Sequence, residues 1–204
     1  MSAPPVPDPE HSQETQKKAA QKKVGKVEID VAISCEGWAQ EISGAENLCR
    51  RVALAALEGS GHDLGGRDVE ISLMLADDAL IRGLNREYRN QDKATNVLSF
   101  SPGVFTLGEG GPVSPAGPVV LGDVAIAFET VRDEAQAQEK SLEAHLAHMV
   151  VHGVLHLLGF DHEDSSQAEY MEGLEISILA GLRHDNPYAD GIACNVSPQF
   201  CEES

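Results

Sequence analysis

The segment HGVLHLLGFDH, residues 152–162, carries three histidines and constrains this chain more than any other stretch of its sequence. Residues four apart project from the same face of an α-helix, so His152 and His156 can direct their imidazoles at one ion. Gly159 tolerates the positive φ of a helix end, after which the chain can turn back and supply His162 as a third ligand. Three histidines plus water form an open, catalytic type of zinc coordination. The spacing therefore predicts a metal site at the end of a central helix.

Gly153 follows the first histidine, at the position where HExxH metalloproteases carry the glutamate that acts as general base. The ligand spacing resembles that of metzincin proteases, but the missing glutamate argues against peptide hydrolysis. A bound metal ion can still lower the pKa of its water toward ~7 and polarise a phosphoryl oxygen. The sequence therefore favours phosphodiester cleavage, which also requires a cation for the phosphate.

Other polar residues near the motif admit structural as well as functional interpretations. Histidines on a helix often fill core or surface positions, and an HxxxH match alone is weak evidence for a metal. His148, four residues before His152, could orient a ligand or contact substrate, and the alternative is a partly buried histidine with no chemical role. His145 is expected on the helix surface. Asp123 in LGDVA either accepts a hydrogen bond from a ligand histidine or caps a buried strand.

A second segment, LNREYRNQDKATNVLSF at residues 84–100, offers a cation in a body that is otherwise poor in basic residues. The planar guanidinium of arginine suits two phosphate oxygens at once. For Arg86 a solvated helix end is the favoured interpretation. Arg89 lies at the predicted boundary between helix and loop. From spacing alone it is a candidate to bind phosphate, and a solvated helix end is the alternative interpretation.

Hydrophobic periodicity predicts a single α+β domain in which a mixed sheet packs against helices. The predicted strands are 26–34, 67–76, 96–101 and 119–128, and the predicted helices are 45–59, 77–89, 129–138, 141–159 and 165–182. Glycines and prolines make residues 102–118 a predicted exposed loop. We expect a disordered arm at residues 1–25, the folded domain at residues 26–183 and a flexible tail at residues 184–204.

Charge and composition limit the partners of the chain. The formal net charge is −18, and residues 27–204 hold 10 of the 15 basic but 30 of the 33 acidic side chains. This balance argues against non-specific electrostatic binding of nucleic acid, so any RNA contact must be local or assisted by a partner. The sequence has no apolar run of the roughly 20 residues that span a membrane, and the N-terminus lacks the apolar core of a secretory signal. We therefore expect a cytoplasmic protein without membrane contact, with its cysteines as free thiols.

Three segments, LNREYRNQDKATNVLSF, LGDVAIA and HLAHMVVHGVLHLLGFDH, resemble in the same order those of YbeY-type bacterial endoribonucleases, also called rRNA maturation factors. The resemblance covers about residues 27–183 and implies a zincin-like α+β domain with one zinc ion held by His152, His156 and His162. Arg89 matches the arginine that the family uses in its activity. Most members carry Asp where this chain has Asn96.

The resemblance also implies a function and a set of partners. The family comprises single-strand-specific, metal-dependent endoribonucleases in 16S rRNA 3′-end maturation, late 30S assembly and ribosome quality control. The expected partners are therefore single-stranded RNA such as 16S rRNA, and the 30S subunit or its proteins. One alternative is a ribosome-assembly factor with a structural zinc and little catalysis, although an open coordination position counts against it. Another is a general metallohydrolase, for which Gly153 disfavours the protease version.

Overall fold

A mixed four-stranded sheet forms the centre of the fold. A computed structural model describes residues 25–102, 117–161 and 164–189. The strands are β1 (Val27–Ile33), β2 (Val69–Ala76), β3 (Val97–Phe100) and β4 (Val119–Ala127). Their spatial order is β1-β2-β4-β3, with parallel pairing except between β3 and β4, which are antiparallel. β3 is therefore an edge strand, beside the strand that carries LGDVA.

Helices pack on both faces of this sheet. The described residues form α1 (Glu36–Glu41), α2 (Ala45–Gly59), α3 (Asp78–Arg89), α4 (Phe128–Ala137), α5 (Leu142–Leu157) and α6 (Ser165–Gly181). Successive residues of a strand point to opposite faces, and β4 accordingly contributes to two apolar clusters. Val124 and Ile126 join the main core with α2, α5 and α6, whereas Ala125 and Ala127 join a smaller cluster with Ile81 of α3. α3 and α5 therefore lie on opposite faces of the sheet.

α5 runs through the main core and carries the histidine motif. Twelve of its 16 residues are buried, including His145, His148 and His152. A helix that is apolar on every side is typical of such a buried position. Because buried polar groups need hydrogen-bond partners, the imidazoles on α5 must meet polar side chains from neighbouring elements.

Capping residues fix where the helices next to the site begin. Oδ1 of Asp77 accepts a hydrogen bond from the backbone N–H of Leu80 at 2.8 Å and caps the start of α3. Oγ of Ser141 accepts from the backbone N–H of Ala144 at 3.1 Å and starts α5. These caps set the register of the two helices that carry Arg89 and the histidines.

The predicted α+β architecture is confirmed, and each predicted strand and helix agrees with the structure to within two residues at either end. α1 was not predicted, because it is only six residues long and buries only Trp38. The prediction for His145 was wrong: its side chain is 1% exposed, because Oε2 of Glu134 on α4 lies 2.8 Å from its Nε2.

Parts of the predicted domain layout lie outside the described residues. These parts are residues 1–24 of the expected arm, residues 103–116 of the expected loop and residues 190–204 of the expected tail. Residues 184–189 at the start of that tail are described, and there Pro187 is buried while Tyr188 contacts α5 and α6. Across the described ranges, no helix has both the length and the apolar character that a bilayer span needs.

Candidate metal centre

The last two turns of α5 bring His152 and His156 together, as their spacing predicts. Their Nε2 atoms lie 3.0 Å apart, and the two ring planes are inclined at 78°. Two nitrogens that share a tetrahedral zinc ion, each at about 2.0–2.1 Å from it, lie about 3.3 Å apart. A small rotation of either ring gives that separation, so the pair fits a shared metal ion.

The other ring nitrogen of His152 contacts a carboxylate. Nδ1 lies 2.8 Å from Oε1 of Glu175, which is fully buried on α6. An ionised carboxylate only accepts hydrogen bonds. Nδ1 of His152 therefore carries a proton, and this N–H donates a hydrogen bond to Glu175. In the neutral ring, a proton on Nδ1 leaves Nε2 of His152 with a lone pair on the side of His156, which is the form of imidazole that binds a metal.

Glu175 is a buried charge with three hydrogen-bond donors around it. Besides His152, Nε2 of His148 lies 3.0 Å from Oε2, and the hydroxyl of Tyr188 donates to the same oxygen. Burial, the largest influence, raises the pKa of Glu175, but the hydrogen bonds from His148 and His152 outweigh it and hold the pKa well below its usual range. The three donors thus offset the unfavourable burial of an ionised carboxylate.

His148 is connected to His152 through this carboxylate. The two ring centroids are 6.3 Å apart. Burial lowers the pKa of His148 despite its hydrogen bond to Glu175, so the ring is neutral and donates its one N–H from Nε2. His148 therefore holds the second oxygen of the carboxylate that orients His152, which agrees with an orienting rather than a ligating position.

The helix ends as the glycine predicts. Gly159 has a φ of 84°, and the backbone N–H groups of Gly159 and Phe160 donate to the carbonyls of His156 and Leu155 at 2.9 and 3.1 Å. This pair of hydrogen bonds is the Schellman arrangement, which reverses the chain direction after a helix. His162, the predicted third ligand, lies outside the described residues. Across residues 25–102, 117–161 and 164–189, no three His, Cys, Asp or Glu side chains form a metal site by themselves.

Packing explains why a glycine follows His152. A Cβ atom on Gly153 would lie 2.5 Å from Cγ1 of Val124 and 3.3 Å from Oγ of Ser99. The serine hydroxyl also donates to the carbonyl of Gly153 at 3.1 Å, which ties β3 to α5. The position that holds the base of an HExxH protease therefore has no room for a glutamate.

Arg89 ends α3 and reaches the strand that packs against α5. Its Nη2 donates to the carbonyl oxygen of Ser99 at 3.2 Å, and the side chain is half-buried. Ser99 bonds in turn to Gly153, the neighbour of His152, so two hydrogen bonds connect the arginine with the histidine turn. The other arginines of this helix, Arg82 and Arg86, are exposed and face Asp92, at 2.7 and 3.8 Å.

The structure does not bring Asp123 to the histidines of α5. Its side chain is exposed, and its neighbour Val124 points toward α5. Since successive strand residues alternate, Asp123 points to the opposite face of the sheet. Among the described contacts, Glu175 instead accepts the hydrogen bond from His152.

Sequence reasoning missed Glu175 and Tyr188. A signal for Glu175 was present, because Met171, Ile178 and Leu179 on α6 are buried and lie four, three and four residues from it. A glutamate within such an apolar stripe needs a buried partner. For Tyr188 we find no comparable signal, since it follows α6 in a short polar segment.

A second polar cluster lies next to the first turn of α5. Nδ2 of Asn96, which is 4% exposed, donates to both carboxylate oxygens of Glu134 at 3.2 Å. Oδ1 of Asn96 accepts from the backbone N–H of Val97 at 2.8 Å, and Glu134 also contacts His145. An amide at position 96 satisfies both neighbours, whereas a carboxylate would face another carboxylate.

Comparisons with known proteins find similarity to one protein family over most of the chain. A model of the endoribonuclease YbeY family matches residues 32–183. The endoribonuclease YbeY of Paramagnetospirillum magneticum is 48% identical over 164 residues, which cover 80% of this chain and 97% of that protein. The endoribonuclease YbeY of Azorhizobium caulinodans is 50% identical over 163 residues, again 80% of this chain and 97% of the relative. A solution structure from Thermotoga maritima, 22% identical, covers 76% of this chain and 91% of its own with a TM-score of 0.45.

Proposed function

The chain belongs to the YbeY endoribonuclease family, and we propose that it is a zinc-dependent endoribonuclease that cuts single-stranded RNA. The observation that carries the zinc part is the pair of Nε2 atoms 3.0 Å apart, one on a ring whose Nδ1 contacts Glu175. Carboxylate contacts of this kind are a regular feature of metal-binding histidines.

His152, His156 and His162 would hold one zinc ion per chain, at the end of a zincin-like central helix. Three imidazole ligands leave a coordination position for water or substrate. Zinc in such a site supplies Lewis acidity and lowers the pKa of water toward about 7. Glu175 contacts Nδ1 of His152, His148 contacts Glu175, and Gly153 keeps the position beside His152 free of a protease-type base.

Arg89 would bind the phosphate of the scissile bond. Its guanidinium is half-buried beside Ser99, two hydrogen bonds from the residue next to His152. A guanidinium donates to two phosphate oxygens at once and stabilises the charge that builds up on them during cleavage. Phosphodiester chemistry therefore agrees with this neighbourhood better than peptide hydrolysis, for which no glutamate base fits at position 153.

The natural substrate we propose is 16S rRNA near its 3′ end, within late 30S assembly and ribosome quality control in the cytoplasm. The net charge of −18 disfavours broad affinity for free RNA. It supports an enzyme that binds RNA within a ribosomal particle, with the 30S subunit or its proteins as partners.

The direct test compares cleavage of single-stranded RNA, double-stranded RNA and a peptide panel by purified protein of known zinc content. The proposal expects zinc-dependent cutting of single-stranded RNA, and loss of both zinc and cutting in His156→Ala. Zinc retention without any RNA cleavage in wild type would instead indicate a structural zinc in an assembly factor. Peptide cleavage would contradict the proposal.

A further inference from the structure

We infer that Glu175 and Tyr188 are positioning residues for the histidine pair: Glu175 fixes which nitrogen of His152 carries the proton, and Tyr188 holds Glu175 in place. Both residues lie outside the histidine motif, on α6 and on the segment after it. The inference rests on the proposed zinc site, because it assigns these two side chains a role in presenting Nε2 to a metal ion.

The carboxylate of Glu175 distinguishes the two tautomers of His152. Oε1 of Glu175 lies 2.8 Å from Nδ1, and neither side chain is appreciably exposed to water. With the proton on Nδ1, this contact is a hydrogen bond. With the proton on Nε2, a lone pair would face a buried carboxylate and a proton would occupy the position where a metal must bind. The contact therefore selects the metal-binding tautomer before any metal arrives.

The orientation of the carboxylate is fixed from its other oxygen. Oε2 accepts from Nε2 of His148 at 3.0 Å and from the hydroxyl of Tyr188. Because donors from two different elements hold Oε2, the carboxylate plane cannot turn away from His152 without breaking both hydrogen bonds. Tyr188 thus acts on His152 at one remove, through Glu175.

The segment that carries Tyr188 is itself anchored to the body. Pro187 is buried, its carbonyl accepts a hydrogen bond from Nζ of Lys140, and Oδ1 of Asn186 accepts from the backbone N–H of Tyr188 at 2.8 Å. The ring of Tyr188 lies against His148, with centroids 5.4 Å apart and an inclination of 81°. These contacts hold the hydroxyl where it meets Glu175, so the segment after α6 belongs to the candidate metal centre.

A purely structural role for these contacts makes a different prediction. If Tyr188 and Glu175 only satisfy each other in the core, their loss lowers the free energy of unfolding and leaves the His152 tautomer unchanged. If they position His152, their loss changes the tautomer of the metal-free protein and the zinc affinity. Measurements on the metal-free protein therefore separate the two roles.

The test uses the full chain with Glu175→Gln and Tyr188→Phe. Glu169→Gln and Tyr170→Phe are the control variants, because they make the same two changes at exposed side chains of α6. Nitrogen-15 NMR of the metal-free proteins reports which His152 nitrogen is protonated, and competition with a chelator gives the zinc Kd. We expect Glu175→Gln to reduce the fraction protonated at Nδ1 and to weaken zinc binding by about 10- to 100-fold, and Tyr188→Phe to weaken it by about 3- to 10-fold.

The inference is overturned if the tautomer and the zinc Kd match wild type in the folded variants. Should Glu175→Gln fail to fold, Tyr188→Phe decides, because it removes one hydroxyl and keeps the ring. The proposed function is tested separately. Wild-type protein that binds zinc with the expected tautomer but cuts no RNA would contradict the endoribonuclease proposal and leave the positioning role intact.

Discussion

Nδ1 of His152 lies 2.8 Å from Oε1 of Glu175, a residue on another helix, while Nε2 of the same ring lies 3.0 Å from Nε2 of His156. One nitrogen of the His152 imidazole thus contacts a buried carboxylate, and the other faces the candidate metal position. This geometry supports the proposed role of His152 and His156 in holding a metal ion.

Replacing Arg89 with Ala should abolish phosphate binding but not zinc binding. The guanidinium donates to the carbonyl oxygen of Ser99 on β3, and the substitution leaves His152 and His156 in place on α5. Loss of a charge-stabilising donor lowers kcat/KM for single-stranded RNA by about 100-fold or more. Arg132→Ala is the matched control, because Arg132 is an exposed arginine paired with Asp133 on α4. Reduced zinc content in Arg89→Ala protein, or equal loss of activity in both variants, would contradict this role.

Gly153→Ala should destabilise the protein, although alanine favours helices. The new Cβ meets Cγ1 of Val124 at 2.5 Å, and overpacking of about 1–3 kcal/mol exceeds the roughly 1 kcal/mol that alanine gains over glycine in a helix. Urea unfolding measures the difference. Gly173→Ala on α6 should be neutral or stabilising, because no atom of a neighbouring described residue lies within 4 Å of the added Cβ.

The clash at Gly153 has a specific partner, which a double-mutant cycle detects. Val124→Ala removes the contacting methyl groups, so Gly153→Ala should cost less in that background, with a coupling of about 0.5–3 kcal/mol. Strict additivity of the two free energies of unfolding would show that Val124 is not the obstacle.

Asn96→Asp should destabilise the protein at neutral pH, since it replaces a donor to Glu134 with a second carboxylate at 3.2 Å. A buried carboxylic acid beside a like charge has a raised pKa in the folded state. The folded variant then binds more protons than its unfolded chain, so stability relative to wild type falls as pH rises above about 4 and recovers below it. We expect a loss of about 2 kcal/mol at pH 7 from urea unfolding.

Glu134→Gln provides the matching rescue for that variant. A glutamine at position 134 offers an N–H to the new carboxylate, so the double variant should recover most of the lost free energy of unfolding. If Asn96→Asp is as stable as wild type at pH 7, the hydrogen bonds from Asn96 to Glu134 do not stabilise the fold.

Cys49 should resist alkylation in the native protein. Its side chain is fully buried, and burial raises the pKa of the thiol to about 12. The thiolate is the reactive form, so at pH 8 the native protein presents almost none of it at this position. Mass-mapped alkylation should find Cys49 modified only after unfolding, with half-buried Cys35 as an internal comparison. Equal rates at the two cysteines would contradict the packing around Cys49.

Local patterns in the sequence predict most of this fold. Alternating burial along β2 and the apolar face of α2 correspond to periodicities that can be read without coordinates. The sheet order β1-β2-β4-β3 could not be predicted from local patterns, because it depends on pairing between distant segments. The short helix α1 buries one residue and has no periodicity to detect.

The candidate site divides in the same way. The pairing of the candidate ligands His152 and His156 follows from their four-residue spacing on α5, and the turn follows from Gly159, since both depend on neighbours in sequence. Glu175 depends on a contact across 23 residues, and the reason for Gly153 depends on the position of Val124 in the sheet. His145 shows the same limit, because its buried imidazole contacts Glu134 on a different helix.

Zinc titration of the metal-free protein with simultaneous assay of single-stranded RNA cleavage tests the central claim most directly. We predict that cleavage by wild type rises with added zinc and saturates at one ion per chain, and that His156→Ala neither binds zinc at that stoichiometry nor cleaves RNA. Undiminished cleavage by zinc-free wild type, or by His156→Ala, would contradict a metal centre at this histidine pair.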